Sequence, residues 1–478
     1  MSLFLGFDVG TQSCKALVVD AARGEVVARA SEPLELIGGL GAGHMEQHPA
    51  RWLAAVEATA KRALANVDAS RVAGVGVSGQ QHGCVVLDDD GDVVRPAKLW
   101  CDTATSAEAA ELSVPTGFTA SKLLWLKRHE PDAWARVRRV LLPHDYVNLW
   151  LTGHASMECG DASGTGWFDP RARRFDDAAM RRIDERLPAM LPALLPAGAF
   201  AGELTEAVAS RLSLPVGTPV SAGGGDNMMS AIGSGATRAG VVVVSLGTSG
   251  TLFGRRATPL EHADDCIADF CSSDGGWLPL LCVMNATGVT QEVQQSSGLS
   301  LDALTAAARA VQPGCDGLLW LPYLNGERVP DLPQATGTLL GMTPGSLAPA
   351  RLFRAALEGT SLNIAWGAER LRASGAALES LHVVGGAARN ELWRAILAAA
   401  LDCPLTLMEE PESAALGAAL HALWTVRRSE DAGVSCDEVA RPYHRASAAV
   451  TEPDPALVAS YATLLERFRS AVQTLYES

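Results

Sequence analysis

A chain of 478 residues, 48% of them apolar and 19% charged, is long enough for large buried cores and for at least two domains. Its formal charge of −15 and isoelectric point near 5.2 argue against binding nucleic acid or an anionic membrane, since either needs a basic stripe or tail. The ten cysteines are scattered and the closest pair, Cys266 and Cys271, lacks zinc or redox spacing; with neither an export signal nor an apolar run of membrane-spanning length, a cytoplasmic protein with reduced structural thiols is expected.

Strands and helices alternate along the chain. Residues 3–9, 15–20 and 25–31 read as a three-stranded antiparallel opening, with "DAARGE" as its second turn. The segment "PARWLAAVEATAKRALA" predicts a helix over 49–65 with Pro49 in its first turn, and "RVAGVGVS" returns as a buried strand. "CVVLDDDGDVV" forms a hairpin around Gly91, and helices follow through Trp150. The pattern restarts after residues 221–233: "AGVVVVSLGTSGTLFG" is a second hairpin, followed by helices expected at 286–297, 301–311, 348–373 and 389–401. A division of the chain at 235 gives domains of residues 1–235 and 236–478.

The two openings resemble each other. "FDVGTQSCKALVV" and "VSLGTSGTLF" both place Gly-Thr at a hairpin turn followed by small polar residues. Such a turn is common in ordinary hairpins, but it can also aim N–H groups and hydroxyls at a phosphate. Two of them could grip one polyphosphate. Asp8, at the end of the first strand, is a natural partner for Mg²⁺; the equivalent residue of the second hairpin is Ser245. No G-x-x-x-x-G-K-[ST] sequence occurs, which excludes a P-loop. The G-x-G-x-x-G of "GVGVSG" leads into a loop and strand instead of a helix, so it does not read as a dinucleotide site.

Taken together, these segments resemble the FGGY carbohydrate kinases of the actin-like ATPase superfamily, and among them the xylulose-phosphorylating members. "DVGTQSCK" is similar to the first phosphate loop, "SGQQHG" to the sugar-binding segment, "GGGDNMMSAIG" to the segment with the catalytic aspartate and "SLGTSG" to the second phosphate loop. "LPYLNGERVPDLPQATGTLLGM" and "VGGAARNELWRAILAAAL" are similar to the signature and adenosine-side segments. The resemblance spans nearly the whole chain. It implies a two-domain α/β fold, actin-like or ribonuclease H-like, with the active site in an interdomain cleft.

The resemblance also implies ATP and Mg²⁺, a small sugar substrate and the conversion of D-xylulose to D-xylulose 5-phosphate. Gly10, Thr11, Gln12 and Ser13 would surround the terminal phosphate, with Lys15 nearby and Asp8 organising Mg²⁺. Gly247, Thr248 and Ser249 would approach from the second domain, and the adenosine would lie on Gly386 and Asn390. Phosphoryl transfer to an alcohol needs a carboxylate to orient the hydroxyl and accept its proton. Asp226 is assigned that role, although its place at the start of a helix equally suits a cap. Asn227, Gln81, His82, Trp100 and Asp102 are expected to hold the sugar. Gln81 stands where many relatives have methionine, and "LWCDTAT" lacks an arginine often found nearby. A kinase for another ketopentose or a polyol is a close alternative, and a non-catalytic sugar- or ATP-sensing protein is one from another class. A homodimer is a common default.

Other features read as structural. "LDDDGD" is a solvated hairpin turn without EF-hand spacing, and "HMEQHP" has two histidines but no third ligand in sequence. The segment from Pro455 to Glu477 is an amphipathic helix, with Leu464, Leu465, Phe468, Val472 and Leu475 expected to dock on a core.

Overall fold

A computed structural model describes residues 2–447 and 449–476. The chain forms two compact units: residues 1–233, 270–278 and 412–444 make the first, and 234–269, 279–411 and 445–478 the second. Two segments that a division at 235 assigns to the C-terminal half thus belong to the N-terminal unit. The longer contains the helix Ser413–Glu430, which is buried along most of its length and lies on the first unit's central strands.

The first unit is built on a seven-stranded sheet. Leu3–Val9 pairs antiparallel with Ser13–Asp20 and parallel with Val72–Gly79, and Glu25–Pro33 extends the antiparallel side. The three-stranded opening is therefore as expected. Near-continuous burial of Leu3–Val9 and Val72–Gly79 explains their apolar runs, because a central strand is covered on both faces. The helix Pro49–Leu64 packs Trp52, Val56, Ala60 and Ala63 inward, at the three- and four-residue spacing that marks a helix face. "GVGVSG" falls within the strand Val72–Gly79 and opens no helix.

The second unit repeats the device. Gly240–Leu246 pairs antiparallel with Gly250–Gly254 and parallel with Leu378–Val384. Asp8 and Ser245 are each the penultimate residue of their strand, and in the parallel pairings Asp8 faces Ser78 while Ser245 faces Val384. The duplication is thus one of topology as well as of sequence.

The long helix Pro349–Ala373 runs through the second core. Its buried Glu358 accepts from Arg354 Nε at 2.6 Å, Tyr461 Oη at 2.9 Å and the Gly314 N–H at 3.0 Å. Tyr461 fastens the C-terminal helix Pro455–Tyr476 to that core. Leu465, Phe468 and Val472 are buried and Leu464 is partly so. Leu475, expected inside, is 45% exposed, because the buried stripe ends one turn earlier; Glu477 lies outside the described residues. No disulfide joins any of the cysteines, and no described helix is long and apolar enough to cross a membrane.

Candidate active site

The Gly-Thr turn expected to receive a phosphate connects the two opening strands and is fixed by side chains. Thr11 Oγ1 donates to Gln80 Oε1 at 2.9 Å and accepts from the Trp100 indole N–H at 3.0 Å. Gln47 Nε2 donates to the Thr11 carbonyl at 2.7 Å, while its Oε1 accepts from Gln80 Nε2 at 3.1 Å and Trp52 Nε1 at 2.9 Å. This buried network holds the turn in one shape, as fully satisfied polar groups of a core do. The Gly10 N–H is used inside the turn, donating to the Ser13 carbonyl at 3.1 Å. Gln12 is exposed, and Thr11 and Ser13 are half-buried.

Asp8 Oδ1 accepts from Ser78 Oγ at 2.9 Å, a contact set by the register that places the two residues side by side. Burial raises the proton affinity of Asp8, with the Lys15 ammonium opposing. Lys15 stands across the hairpin from Asp8 and pairs with Glu412. The predicted phosphate lysine is therefore already neutralised by a carboxylate within its own unit.

Asp226 opens the helix Asp226–Ser234 immediately after the short strand Gly224–Gly225, which pairs parallel with Ser78 and Gly79. That pairing brings "GGGD" beside "SGQQHG". Asp226 Oδ1 accepts from the Asn227 N–H at 2.9 Å and from Asn227 Nδ2 at 3.2 Å, and Asn227 Nδ2 also donates to Gln81 Oε1 at 2.7 Å. Asn227, Gln81 and Asp226 are thus one hydrogen-bonded group. Burial, followed by the negative charges of Asp8 and Asp161, pushes the Asp226 carboxyl up to about 8.

His82 has a backbone φ of 62°, a conformation unusual for a residue other than glycine. Its ring stacks on Phe118 at 4.8 Å between centroids and lies 5.9 Å from Phe270. Trp100, as described, supports the Gly-Thr turn at Thr11. Asp102 is fully buried, and its Oδ2 accepts from the Met45 N–H and Lys98 Nζ, both at 3.0 Å. Lys98 also reaches Glu46 at 3.0 Å and His44 at 3.1 Å. The tertiary fold thus supplies "HMEQHP" with the third ligand-type residue that its sequence lacks, Asp102, but the cation among His44, Glu46 and Asp102 is the Lys98 ammonium.

Sequence reasoning passed over Gln80, the neighbour of Gln81 in "SGQQHG", and a buried set behind Asp226. In that set His144 Nδ1 lies 2.6 Å from Asp161 Oδ2 and His144 Nε2 lies 3.1 Å from Asp145 Oδ1. Burial opposes a charge on His144, but Asp145 and Asp161 outweigh it and raise its proton affinity. The alternation of Gln80 and Gln81 at a strand end was a usable signal for the first. Nothing local marks the second, in which His144 and Asp161 are 17 residues apart in sequence.

In the second unit Gly247 and Thr248 are exposed and Ser249 half-buried. The Gly247 N–H donates to the Ser249 carbonyl at 3.0 Å, two residues on, where Gly10 donates to a carbonyl three residues on. The Gly247 and Thr248 carbonyls accept from Thr287 and Ala286 N–H groups at the start of the helix Thr287–Ser297. "GGAARN" is a short helical turn between the strand Leu378–Val384 and the helix Glu391–Leu401. Gly386 has open space where a Cβ would be. Asn390 caps the helix, accepting from the Trp393 N–H at 3.2 Å, and donates through Nδ2 to Thr305 Oγ1 at 2.9 Å.

The family model for the N-terminal domain of the FGGY family of carbohydrate kinases matches residues 3–233, and that for its C-terminal domain matches residues 242–426. A xylulose kinase of Haemophilus influenzae is 35% identical over 99% of this chain and 100% of its own. One of Streptomyces coelicolor is 37% identical, covering 91% and 90%. The crystal structure of a xyloylose kinase from Brucella ovis superimposes with a TM-score of 0.91 at 31% identity, covering 99% of each chain.

Proposed function

Because the chain belongs to the FGGY family of carbohydrate kinases, and so is a sugar kinase with ATP as the phosphoryl donor, we propose that it converts D-xylulose to D-xylulose 5-phosphate with Asp226 as the general base. The observation that carries this reading is the hydrogen-bonded group of Gln81, Asn227 and Asp226, which ties the sugar segment to the acid. The similarity to xylulose kinases over nearly their full length supports the choice of sugar.

In this reading the attacking hydroxyl lies against Asp226. A carboxyl whose proton affinity is raised toward neutrality is well matched to taking a proton at physiological pH. Asn227 orients the carboxylate through Oδ1. His82 and Gln81 bind other hydroxyls without adding fixed charge at neutral pH. Thr11, Gln12 and Ser13 receive the phosphates on the first unit, and Gly247, Thr248, Ser249, Gly386 and Asn390 carry the nucleotide contacts of the second. With the Gly10 and Gly247 N–H groups, the Asn390 amide and the Thr11 hydroxyl already engaged, Ser13, Thr248 and Ser249 are left as the principal hydroxyl donors.

Mg²⁺ suits the acids of the first unit. The negative charge of Asp8 raises the proton affinity of Asp226, and hard oxygen donors are what that ion takes. Asp8 would hold it, and the ion would neutralise charge on the phosphates. Lys15, paired with Glu412, stays in reserve to balance Asp8.

An ADP-release screen over ketopentoses, aldopentoses, glycerol and gluconate tests the substrate. Xylulose is expected to give the highest kcat/KM; a higher value for any other compound replaces it. His82→Ala is expected to lower kcat/KM for xylulose about 5- to 150-fold, the equivalent of one buried hydrogen-bonding group left unpaired, with ATP affinity unchanged. Calorimetry that finds equal losses for sugar and nucleotide would instead make His82 a structural residue, in keeping with its strained backbone.

A further inference from the structure

Two buried polar atoms beside Asp226 have no hydrogen-bond partner: Gln81 Nε2 and Asp161 Oδ1. Both adjoin Gly225, the residue before Asp226. A Cβ on Gly225 would lie 2.5 Å from Gln81 Cγ, 2.9 Å from Gln81 Cδ and 3.1 Å from Asp161 Oδ1. The absence of a side chain there lets the amide and the carboxylate approach the same point. Each group is also immobilised through its other atom. Asn227 Nδ2 donates to Gln81 Oε1 at 2.7 Å, and His144 Nδ1 holds Asp161 Oδ2 at 2.6 Å, with His144 itself steadied by Asp145 at 3.1 Å.

The two orphans are chemically complementary. One is an N–H donor and the other a carboxylate acceptor, and an alcohol hydroxyl is able to accept from the first while donating to the second. Buried polar groups of native proteins are seldom left unmatched, so two complementary ones at one glycine imply a missing third partner. Burial raises the proton affinity of Asp161 and the His144 imidazole on Oδ2 opposes that rise; in its ionised form the carboxylate offers Oδ1 as an acceptor.

We propose that Asp161 is a specificity-determining residue of the sugar site, its Oδ1 acting with Gln81 Nε2 as an acceptor–donor pair for one substrate hydroxyl. The inference rests on the polyol-phosphorylating reading of the site given above. The hydroxyl concerned is not the one phosphorylated, because that one belongs to Asp226. Asp161 therefore contributes to choosing among polyols. His144 is its positioning residue, acting on substrate only through the carboxylate it orients.

The test is a cycle of protein variants against deoxygenated sugars, using the full-length chain. Dissociation constants for xylulose and each of its monodeoxy analogues are measured by calorimetry for the wild type, Asp161→Asn and Gln81→Met, with ATP binding as a control. One analogue is expected to bind the wild type about 10- to 100-fold more weakly than xylulose, since a site built to hydrogen-bond a hydroxyl discriminates against its absence. Asp161→Asn and Gln81→Met should weaken xylulose by a similar factor and show no further loss with that same analogue, while ATP affinity stays the same. Losses that multiply for every analogue would overturn the proposal and leave Asp161 a purely structural acid. Should Asp161→Asn fail to fold, the Gln81→Met arm decides: a full additional loss with every analogue there overturns the pair. If the wild type binds ATP but neither xylulose nor its analogues, the substrate reading fails separately, and the cycle is run on deoxy forms of the polyol found by the ADP-release screen.

Discussion

Asp226→Asn is expected to lower kcat by about 10²- to 10⁴-fold, the usual worth of a positioned general base, while the protein remains folded. The amide is nearly isosteric and keeps an oxygen for the Asn227 N–H that now binds Oδ1 at 2.9 Å. The same substitution should raise stability, in a pH-dependent way. In the folded protein burial and the charges of Asp8 and Asp161 push this carboxyl from its ordinary 3.8 up to about 8. Between those values the folded form holds a proton that the unfolded chain has released, so the group's contribution to stability is greatest at the acid end and falls as pH rises toward about 8. Asparagine does not titrate. The variant should therefore melt at least about 2 °C above wild type near pH 8, with the gap closing toward pH 4. The wild-type kcat/KM should rise with pH over the same interval, because the base must be ionised to accept a proton. Melting curves and steady-state kinetics across that range are the measurements. Near-normal turnover in the folded variant would remove Asp226 from the mechanism, and a flat stability difference would show that its proton affinity is ordinary.

Gly417→Ala should have the largest effect on folding. The helix Asp226–Ser234 crosses the helix Ser413–Glu430 through facing glycines. A Cβ on Gly417 would fall 1.7 Å from the Met229 carbonyl oxygen, and one on Gly233 would fall 1.9 Å from that of Ser413. Both obstacles are backbone, which cannot rotate away as a flexible side chain does. Forcing even a single methyl into such a contact costs about 1–3 kcal/mol and sometimes more, corresponding to a melting temperature lower by roughly 2–12 °C. Moving the first helix also moves Asp226 at its N-terminus. A displacement near 1 Å at a reacting group is worth about 10² in rate, so kcat should fall well below the melting transition. Thermal melts with activity measured at low temperature decide it; an unchanged melting temperature and kcat would mean that the helices separate at little cost.

The elements most legible in the sequence were those whose signal is local. The opening strands announced themselves through apolar runs broken by turn residues, and Pro49–Leu64 through its helical spacing of apolar side chains. The two Gly-Thr turns were visible as a repeated pattern, which the topology reproduces down to the matching positions of Asp8 and Ser245. The C-terminal helix was read correctly as docking on a core, except at Leu475, because periodicity defines a face but not where the core beneath it ends.

The site was legible in part. "SGQQHG" and "GGGDNMMS" contain residues that the fold brings into one hydrogen-bonded group, although 146 positions separate Gln81 from Asn227. What the sequence left open was the partner of each side chain. Lys15 is matched with Glu412, nearly four hundred residues away, and Asp102 with Lys98, so charges expected to face ligands are balanced within the protein. Gln80 supports Thr11 while its neighbour Gln81 joins Asn227, a division of labour that depends on which way each side chain leaves the backbone.

By itself, then, the amino-acid sequence determined the strand and helix menu, the duplicated Gly-Thr turn, the family and the identity of the acid at the start of the Asp226 helix. These depend on short-range periodicity, turn chemistry and residue type, all of which are written within a few neighbouring positions. Only the tertiary structure decided that residues 270–278 and 412–444 belong with the first unit. It also decided that Gly417 must be glycine to admit the Asp226 helix and that His144 holds Asp161 behind that helix. Those facts arise from close packing and charge pairing between segments far apart in the chain, where the contact distance, not the local propensity, sets the energy.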